Sequence, residues 1–349
     1  GEYVVENDSG TQMIISESIN PADNPDRTLD LVVADMVDQG AQLIIANSDE
    51  YKNDVNTVAP LYPDVTFVHV SGDAVLTGEA PPNVTNVMGQ MEYGKAIAGC
   101  AAALATQTGK IAYLGPLIND ETRRLVNSAY LGAKYCYENY RGMDGADLQF
   151  EVVWIGFWFE IPGFTLSPTE VVNDFLNGGA DVVLSGIDTT EAIVVAGQRA
   201  REGEAVWAIP YDFVGACTEA AEACLGVPYF NWGPAYSDII SSVMDGSFEP
   251  AWDWLPPDWS DLNNKDTTAV GFEKGAALSE ENAAFVDEFI ALLATGAIGS
   301  EEGFNPWTGP LNYQDGSEYL ADGVVATPEQ VWYMPQLLEG VTGDSVPAE

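Results

Sequence analysis

The chain has 349 residues, 46% of them hydrophobic, which is enough to bury a large core and suggests two domains. It carries 12 Lys and Arg against 54 Asp and Glu, a net charge of −42, which argues against nucleic acid and anionic lipid as partners. No apolar run is long enough to span a bilayer, and the opening GEYVVENDSG is unlike a signal peptide. The acidic residues are scattered, which favours solubility in a salty or acidic medium over attraction of cations.

The first third of the chain alternates strands with helices, an order typical of a parallel sheet. The predicted elements are a helix tail over Glu2–Asn7, strands over Gln12–Ser18, Gln42–Ala46, Val65–Val70 and Asn86–Met88, and helices over Thr28–Gln39, Asp54–Leu61 and Glu92–Thr106. A doubly wound lobe usually begins with a strand before its first helix. We therefore expect the printed sequence to lack that first strand, its loop and roughly 30–40 residues in all.

The stretch Gly109–Tyr140 is predicted to be the point where the chain crosses into a second α/β lobe. Lys110–Leu114 is a short apolar run typical of a buried strand, and Gly-Pro ends it. Asn119 or Asp120 can cap the following helix by accepting a free backbone N–H. The intervening loop leaves the carboxyl end of a strand, which is where ligands bind in open α/β sheets.

The alternation continues to the end of the sequence. Strands are predicted over Leu148–Ile155, Asp181–Leu184, Val206–Ile209, Val227–Phe230 and Ala269–Phe272, and helices over Pro168–Asn177, Thr190–Glu202, Gly233–Asp245, Glu280–Thr295 and Pro328–Leu338. Trp252–Trp259 is interpreted as a tryptophan-rich loop that covers a ligand site or, preferably, packs on a lobe surface. Glu301–Gly323 is rich in turns.

The four cysteines form no CxxC pair, which argues against a zinc or thioredoxin-like site. Cys217 and Cys224 bracket a short loop that a disulfide could close. Cys100 and Cys136 lie on successive predicted helices and could also pair. An even number of cysteines with few lysines favours an extracytoplasmic protein, with buried thiols as the alternative.

Enzyme motifs are scarce. The sequence has no GxGxxG, P-loop or GxSxG pattern, and its one histidine, His69, lies inside a predicted strand, where a structural role is the usual one. We therefore predict no catalytic residue, no metal and no cofactor.

Polar and aromatic residues follow most of the predicted strands. If both sheets are parallel, these strand ends face one cleft, and aromatic faces beside carboxylates suit a flat, polar, neutral or cationic ligand. Asp188 and Asp212, each just past a buried strand, are the strongest candidates. The predicted ligand-binding residues are Ser48, Asp49, Tyr51, Glu92, Asn119, Trp158, Asp188, Tyr211, Asp212 and Trp232.

Several segments occur in the order seen in a known family. They include LVVADMVDQGAQLIIANSDEY, YPDVTFVHVSG, MEYGKAIAG, GKIAYLGPL, ETRRLVNSAYLGA, VVWIGFWF, GGADVVLSGIDTTEA, FNWGPAY, NPWTGPLNYQDG and YMPQLLEGVTG. The chain thereby resembles the basic membrane protein (BMP) family of substrate-binding lipoproteins that serve ABC importers. The resemblance implies a type I periplasmic-binding-protein fold: two doubly wound, Rossmann-like lobes joined by a hinge, with three crossing strands and a cleft that closes on ligand. We expect residues 1–108 and about 233–268 to form the first lobe, and 109–232 and about 269–349 the second.

The same resemblance implies a function. Many members bind purine nucleosides, and others look adapted to riboflavin or other small molecules; the base usually lies between aromatics and carboxylates hold the ribose. By matching motifs, Ser48 and Tyr51 line the first lobe, and Asn119, Trp158, Asp188, Asp212 and Trp232 line the second lobe or the hinge. The expected partners are a nucleoside-like ligand and ABC permease subunits. The expected location is outside the cytoplasm, with a lipid anchor beyond the printed sequence.

Two other classes of function stay open at this point. A cell-surface structural or sensor protein could keep the binding fold without transport, and the acidic surface and paired cysteines are compatible with it. A hydrolase acting through Asp188 or Asp212 is the third possibility.

Overall fold

The computed structural model describes residues 1–7, 10–17, 19, 24 and 26–347. Its helices are α1 (Glu2–Asn7), α2 (Leu29–Asp38), α3 (Lys52–Val58), α4 (Ala74–Thr77), α5 (Met91–Ala105), α6 (Asp120–Asn139), α7 (Pro168–Asn177), α8 (Glu191–Arg201), α9 (Gly233–Asp245), α10 (Glu280–Leu293) and α11 (Pro328–Trp332). Its strands are β1 (Leu43–Ala46), β2 (Thr66–Val70), β3 (Val84–Gly89), β4 (Lys110–Gly115), β5 (Gln149–Trp154), β6 (Val182–Ser185), β7 (Trp207–Ile209), β8 (Gly226–Phe230), β9 (Trp252–Leu255), β10 (Val270–Lys274), β11 (Leu311–Asn312), β12 (Glu318–Leu320) and β13 (Val341–Thr342). None of the described helices is long and apolar enough to cross a membrane.

The first of two compact units is built on a parallel sheet. It comprises the described residues of Gly1–Gln90, Asn231–Asp258 and Asn264–Ala269. Its strands lie in the order β1-β2-β3-β9, and every neighbouring pair is parallel. Apolar side chains of α2 and α3, including Val33 and Val55, pack on Ile44 and Phe67 of the sheet. Burial of this apolar face is the main force that holds the helices on the strands.

Two predictions for this unit are wrong. The segment Trp252–Trp259 is not only a loop, because Trp252–Leu255 forms strand β9 beside β3. Trp-Asp-Trp-Leu alternates with the period of two that a strand requires, and the number of tryptophans obscures this pattern. In contrast, residues 12–17 of the predicted strand Gln12–Ser18 form no strand, and Ser18 lies outside the described residues. Ile15 is 62% exposed, so this apolar run lacks the neighbouring strand that a sheet needs.

The second unit contains a larger parallel sheet. It comprises the described residues of Met91–Phe230, Trp259–Asn263 and Val270–Glu349. The strand order is β13-β5-β4-β6-β7, again with parallel neighbours, and β8 and β10 form a separate antiparallel pair. Ala112 and Leu114 of β4 pack against the apolar faces of α7 and α8. The predicted last helix, Pro328–Leu338, ends at Trp332, because Pro335 disfavours helical backbone in the residue before it.

Helices α5 and α6 of the second unit are in direct backbone contact. A Cβ added to Gly132 would lie 2.0 Å from the carbonyl oxygen of Ala96, and one added to Gly99 would lie 1.8 Å from that of Ala129. The two backbones therefore touch where glycine removes the side chain. Helix α5 thus belongs to the second unit, whereas the predicted boundary after residue 108 assigned it to the first lobe.

Both predicted cysteine pairs are disulfides in this structure. Cys100 of α5 is joined to Cys136 of α6, and Cys217 is joined to Cys224 beside β8. The first bond fastens the same pair of helices that the glycines bring together.

Replacing Gly132 with alanine should lower the free energy of unfolding by about 1–3 kcal/mol, because the new methyl group overlaps the backbone of α5. Lys134→Ala on the same helix is the control and should change it by less than about 0.5 kcal/mol. Denaturant unfolding measures the free energy of unfolding of both variants. A loss for Gly132→Ala as small as that for Lys134→Ala would contradict the described contact.

Removing the Cys100–Cys136 bond by a double alanine substitution should cost more stability than removing Cys217–Cys224. The residues are 36 apart in the first pair and 7 apart in the second, so the first bond restricts the unfolded chain more. Loop entropy predicts losses of about 4 and about 2 kcal/mol. Thermal and denaturant unfolding of the two variants tests this order, and the reverse order would refute it.

Candidate ligand site at the carboxyl edge of the second sheet

The loops that follow β4, β6 and β7 leave the second sheet at the same edge. The three strands are parallel neighbours, with Leu114 paired to Ser185 and Leu184 paired to Ile209. Their carboxyl ends therefore present the loops at Pro116–Asn119, Gly186–Asp188 and Pro210–Asp212 side by side. Parallel α/β sheets bind ligands at this kind of edge.

Asn119 has a defined structural task at this edge. Its side-chain oxygen accepts the backbone N–H of Thr122 at 2.9 Å, and the Thr122 hydroxyl oxygen accepts the backbone N–H of Asn119 at 3.0 Å. This reciprocal capping box begins α6, as the sequence predicts for Asn119. The cap fixes the loop that connects β4 to α6.

Asp188 and Asp212 are carried by neighbouring strand ends. The backbone N–H of Asp188 donates to the carbonyl oxygen of Trp158 at 2.9 Å, so the loop after β5 is joined to the loop after β6. The backbone of Asp212 has a φ of 86° and exchanges hydrogen bonds with Pro228 and Phe230 of β8. A left-handed conformation at a non-glycine residue is uncommon, and here these two bonds hold it. Four of the predicted ligand residues therefore lie at this edge: Asn119, Asp188, Tyr211 and Asp212.

Lys95 of α5 lies beneath these loops. Its side chain is 1% exposed, and Nζ donates to the carbonyl oxygen of Ser185 at 2.6 Å. The same Nζ lies 3.5 Å from the ring centroid of Tyr211 and 5.2 Å from that of Tyr113. These distances are typical of cation–π contacts. Tyr211, predicted to bind ligand, therefore has one ring face occupied by the ammonium group.

The charges at this edge are strongly coupled. Burial lowers the pKa of Lys95 well below its ordinary value, and the carboxylates of Asp212 and Glu121 oppose this shift. Desolvation by the surrounding protein, with the charge of Asp212 as the second cause, raises the pKa of Asp188 to about 7, although solvent still reaches its side chain. Burial also raises the pKa of Asp212, and Lys95 opposes that rise. Buried titratable groups of this kind concentrate at functional sites.

Other predicted residues meet in the first unit. Ser48 accepts the backbone N–H of Glu50 and begins the 3₁₀ turn Asp49–Tyr51, while its carbonyl oxygen lies 3.0 Å from Nε2 of His69. Tyr51 donates its hydroxyl to the carbonyl oxygen of Ile19 at 2.8 Å. These residues follow β1.

Trp232 begins α9 and lies in the first unit. Its ring stacks on Tyr236 with centroids 6.2 Å apart, and the Tyr236 hydroxyl donates to Asn47 at 3.1 Å. Trp232 is therefore tied through Tyr236 to the loop that carries Ser48.

Glu92 has a different environment from the other predicted residues. It is 2% exposed, and Arg124, also 2% exposed, pairs its Nε with a carboxylate oxygen of Glu92 at 2.6 Å. The guanidinium carbon of Arg124 lies 4.2 Å from the ring centroid of Trp332. This buried ion pair joins α5 to α6, so we assign Glu92 to the core and leave it out of the proposed ligand contacts.

Sequence reasoning missed Lys95, although one signal was present. Among 12 Lys and Arg in the chain, Lys95 stands in a helix whose other residues are nearly all apolar or small, MEYGKAIAGCAAALA. A lysine is almost never fully buried unless it is paired. Among the described residues, no cluster of His, Cys, Asp or Glu is arranged to hold a metal ion.

Comparison with known proteins decides the family. Residues 6–255 match the family described as ABC transporter substrate-binding protein PnrA-like. The chain belongs to this family. The predicted resemblance to BMP proteins is thereby confirmed, and the protein is a substrate-binding protein of an ABC transporter rather than an enzyme.

Two individual relatives share about a quarter of their aligned residues with this chain. A purine-binding protein of Brucella abortus is 26% identical over 307 residues, which are 86% of this chain and 76% of the relative. A Haloferax volcanii protein named as an ABC transporter glucose-binding protein is 26% identical over 234 residues, 67% of this chain and 53% of that protein.

Solved structures establish the fold. An ABC transporter solute-binding protein from Conexibacter woesei superposes with a TM-score of 0.56 at 18% identity, covering 81% of this chain and 85% of that one. One from Aeropyrum pernix gives 0.56 at 16% identity, covering 79% and 69%. The predicted type I periplasmic-binding-protein fold is confirmed. As a family member, this substrate-binding protein works outside the cytoplasm with a small-molecule ligand and permease components.

Arg124→Met should destabilise this substrate-binding protein by about 3–5 kcal/mol, because it leaves the Glu92 carboxylate buried without its cation. The double variant Glu92→Leu with Arg124→Met removes both charges and should recover most of that loss. Denaturant unfolding of the two variants provides the comparison. A double variant that is less stable than Arg124→Met alone would mean that the ion pair itself supplies the stability.

Proposed function

We propose that this substrate-binding protein captures a purine nucleoside or a related heterocycle, and that Asp188 and Asp212 accept hydrogen bonds from it. The observation that carries the proposal is the pair of carboxylates that follow the adjacent ends of β6 and β7, close enough for the charge of Asp212 to act on Asp188. Ionised carboxylates only accept hydrogen bonds, so they suit ribose hydroxyls and ring N–H groups.

The remaining contacts are proposed from the same chemistry. Trp158, joined to Asp188 by a backbone hydrogen bond, offers an aromatic face for a flat base. The other proposed contacts are Asn119 and Tyr211 in the second unit and Ser48, Asp49, Tyr51 and Trp232 in the first. The permease subunits of an importer complete the function, and attachment to the membrane through a lipid outside the printed sequence is part of the proposal.

The name of the Brucella abortus relative supports a purine, and that of the Haloferax volcanii relative points to a sugar. A nucleoside and a sugar both present hydroxyl groups that can donate hydrogen bonds to carboxylates. A nucleoside also has a flat base that can stack on the ring of Trp158, whereas glucose has no aromatic ring. We therefore favour the nucleoside.

Calorimetry with inosine, guanosine, adenosine and glucose tests this choice. At least one nucleoside should bind, and Asp212→Asn should weaken that binding about 10-fold to 150-fold, because a hydrogen bond to a charged group contributes about 1.5–3 kcal/mol. Asp174→Asn, at an exposed carboxylate of α7, is the matched control and should bind as the unchanged protein does. Binding of glucose alone, or unchanged affinity in Asp212→Asn, would refute the nucleoside proposal.

A further inference from the structure

The single histidine of the chain, His69, is buried on strand β2 of the first sheet. It is 1% exposed, and Nε2 of its imidazole ring lies 3.0 Å from the carbonyl oxygen of Ser48. A carbonyl oxygen can only accept a hydrogen bond, so Nε2 carries the hydrogen and donates it. The acceptor thereby fixes one of the two neutral tautomers of the ring.

The surroundings of the ring favour its neutral form. Burial lowers the pKa of His69 below its ordinary value, although the bond to Ser48 opposes the shift. The nearby charges are smaller influences: Asp49 and Asp73 favour the charged ring, and Lys52 disfavours it. A neutral imidazole has one N–H group, so the bond to Ser48 uses the only donor of the side chain.

The turn after β2 is shaped around the imidazole ring. A Cβ added to Gly72 would lie 2.3 Å from Nδ1 of His69 and 2.3 Å from the side-chain nitrogen of Asn86. Glycine therefore leaves the room that the ring needs. Ser71, the preceding residue, has a φ of 64°, a left-handed conformation that is uncommon for serine, and its N–H donates to the carbonyl oxygen of Val87 at 3.0 Å. The chain thus bends closely around His69 at the carboxyl end of β2.

The carbonyl oxygen that His69 reaches also organises the loop after β1. It accepts the backbone N–H of Tyr51 at 3.3 Å, which closes the 3₁₀ turn Asp49–Tyr51. The hydroxyl oxygen of Ser48 accepts the N–H of Glu50 at 3.4 Å, and the hydroxyl can still donate its own hydrogen to a ligand. This loop contains three of the proposed ligand contacts, and His69 supports it from the neighbouring strand.

A second link joins the loops after β1 and β2, but it is exposed. Lys52, which follows the 3₁₀ turn, pairs with Asp73 at 2.8 Å, and the side chain of Lys52 is 50% exposed. Exposed ion pairs contribute little, because water screens the charges and both side chains lose freedom. The bond from His69 to Ser48 starts from a buried ring, where a lost hydrogen bond is not replaced by water. Of the two links, the bond from His69 is therefore the one that sets the position of the turn.

We propose that His69 is a positioning residue for ligand binding, whose Nε2–H group holds the turn Asp49–Tyr51 in the shape that presents Ser48 and Tyr51 to the ligand. His69 acts through the Ser48 carbonyl group and does not itself touch the ligand. This inference rests on the proposed function for the ligand and for the role of the turn. A ring that only filled space in the core could be replaced by an apolar side chain of similar size without any effect on binding.

Nuclear magnetic resonance of protein labelled with nitrogen-15 histidine, and prepared without a histidine tag, tests the geometry in the absence of ligand. Because the chain contains one histidine, the spectrum should show one imidazole ring. At neutral pH, hydrogen should be bonded to Nε2 and absent from Nδ1. Hydrogen on Nδ1, or an equal mixture of the two tautomers, would overturn the proposal.

Two substitutions separate the hydrogen bond from the volume of the ring. His69→Leu fills the space but donates nothing, so the backbone amide of Tyr51 should exchange its hydrogen about 3-fold to 10-fold faster, measured by nuclear magnetic resonance. Inosine should bind to this variant about 3-fold to 10-fold more weakly, measured by calorimetry. His69→Gln has an N–H donor that can reach the Ser48 carbonyl and should restore most of both properties.

Thr85→Val is the matched control. Thr85 is also buried, and its hydroxyl donates to a backbone carbonyl oxygen, that of Ala251 at 2.9 Å, near the amino end of β3 in the same sheet. The substitution should lower the free energy of unfolding but leave the exchange at Tyr51 and the affinity for inosine unchanged. A loss of affinity as large as that of His69→Leu would overturn the proposal, because general destabilisation would then explain both.

The measurements separate this inference from the proposed function. Faster exchange at Tyr51 in His69→Leu, without any binding of inosine to the unchanged protein, would support His69 as the residue that positions the turn and would refute the nucleoside. If inosine binds, equal exchange or equal affinity in His69→Leu and the unchanged protein would overturn the positioning role. The histidine spectrum needs no variant, so it can refute the proposal even if circular dichroism shows that His69→Leu does not fold.

Discussion

The direct backbone contact between α5 and α6 is the constraint on which the second unit depends. Gly99 and Gly132 let the helices touch, and the Cys100–Cys136 bond fastens them. Arg124 of α6 pairs with Glu92 of α5 across this contact, and Lys95 of α5 is directed towards the end of β6. The geometry of the candidate site is therefore set by a helix pair that lies beneath it.

The arrangement explains why buried charge is tolerated at this point of an otherwise apolar core. An isolated ammonium or guanidinium group would be too costly to desolvate. Arg124 has the carboxylate of Glu92 and the ring and carbonyl oxygen of Trp332 in reach, and Lys95 has the carbonyl oxygen of Ser185 and the ring of Tyr211.

Much of the fold could be predicted from the sequence because the strands are short, apolar and followed by turn residues. The helix Gly233–Asp245 was predicted to the residue, and Asn119 is one of the two residues predicted to cap α6. The run at residues 12–17 was wrongly predicted as a strand, because apolar composition cannot show whether a neighbouring strand exists. Helix α5 was placed with the first lobe, since a helix that is apolar on every side gives no indication of which sheet it covers.

The candidate site could be predicted only in part. Asp188 and Asp212 follow buried strands, so the topology alone places them at the ligand edge. Lys95 and Glu92 lie on the same helix, and the sequence analysis singled out only Glu92. Which of them reaches a strand end and which pairs with Arg124 depends on the packing of α5 and α6, and no local pattern in the sequence encodes that contact.

The pairing of β9 with β3 has a consequence for how the protein forms on the ribosome. The fourth strand of the first sheet arrives only with residues 252–255, long after β1, β2 and β3 have been synthesised. The second sheet likewise receives its outer strand from residues 341–342. Neither sheet can be completed in the order of translation. Each sheet therefore has an unpaired edge strand until the late residues emerge from the exit tunnel. In that interval, the dense negative charge of the nascent chain offers electrostatic protection against association with its neighbours.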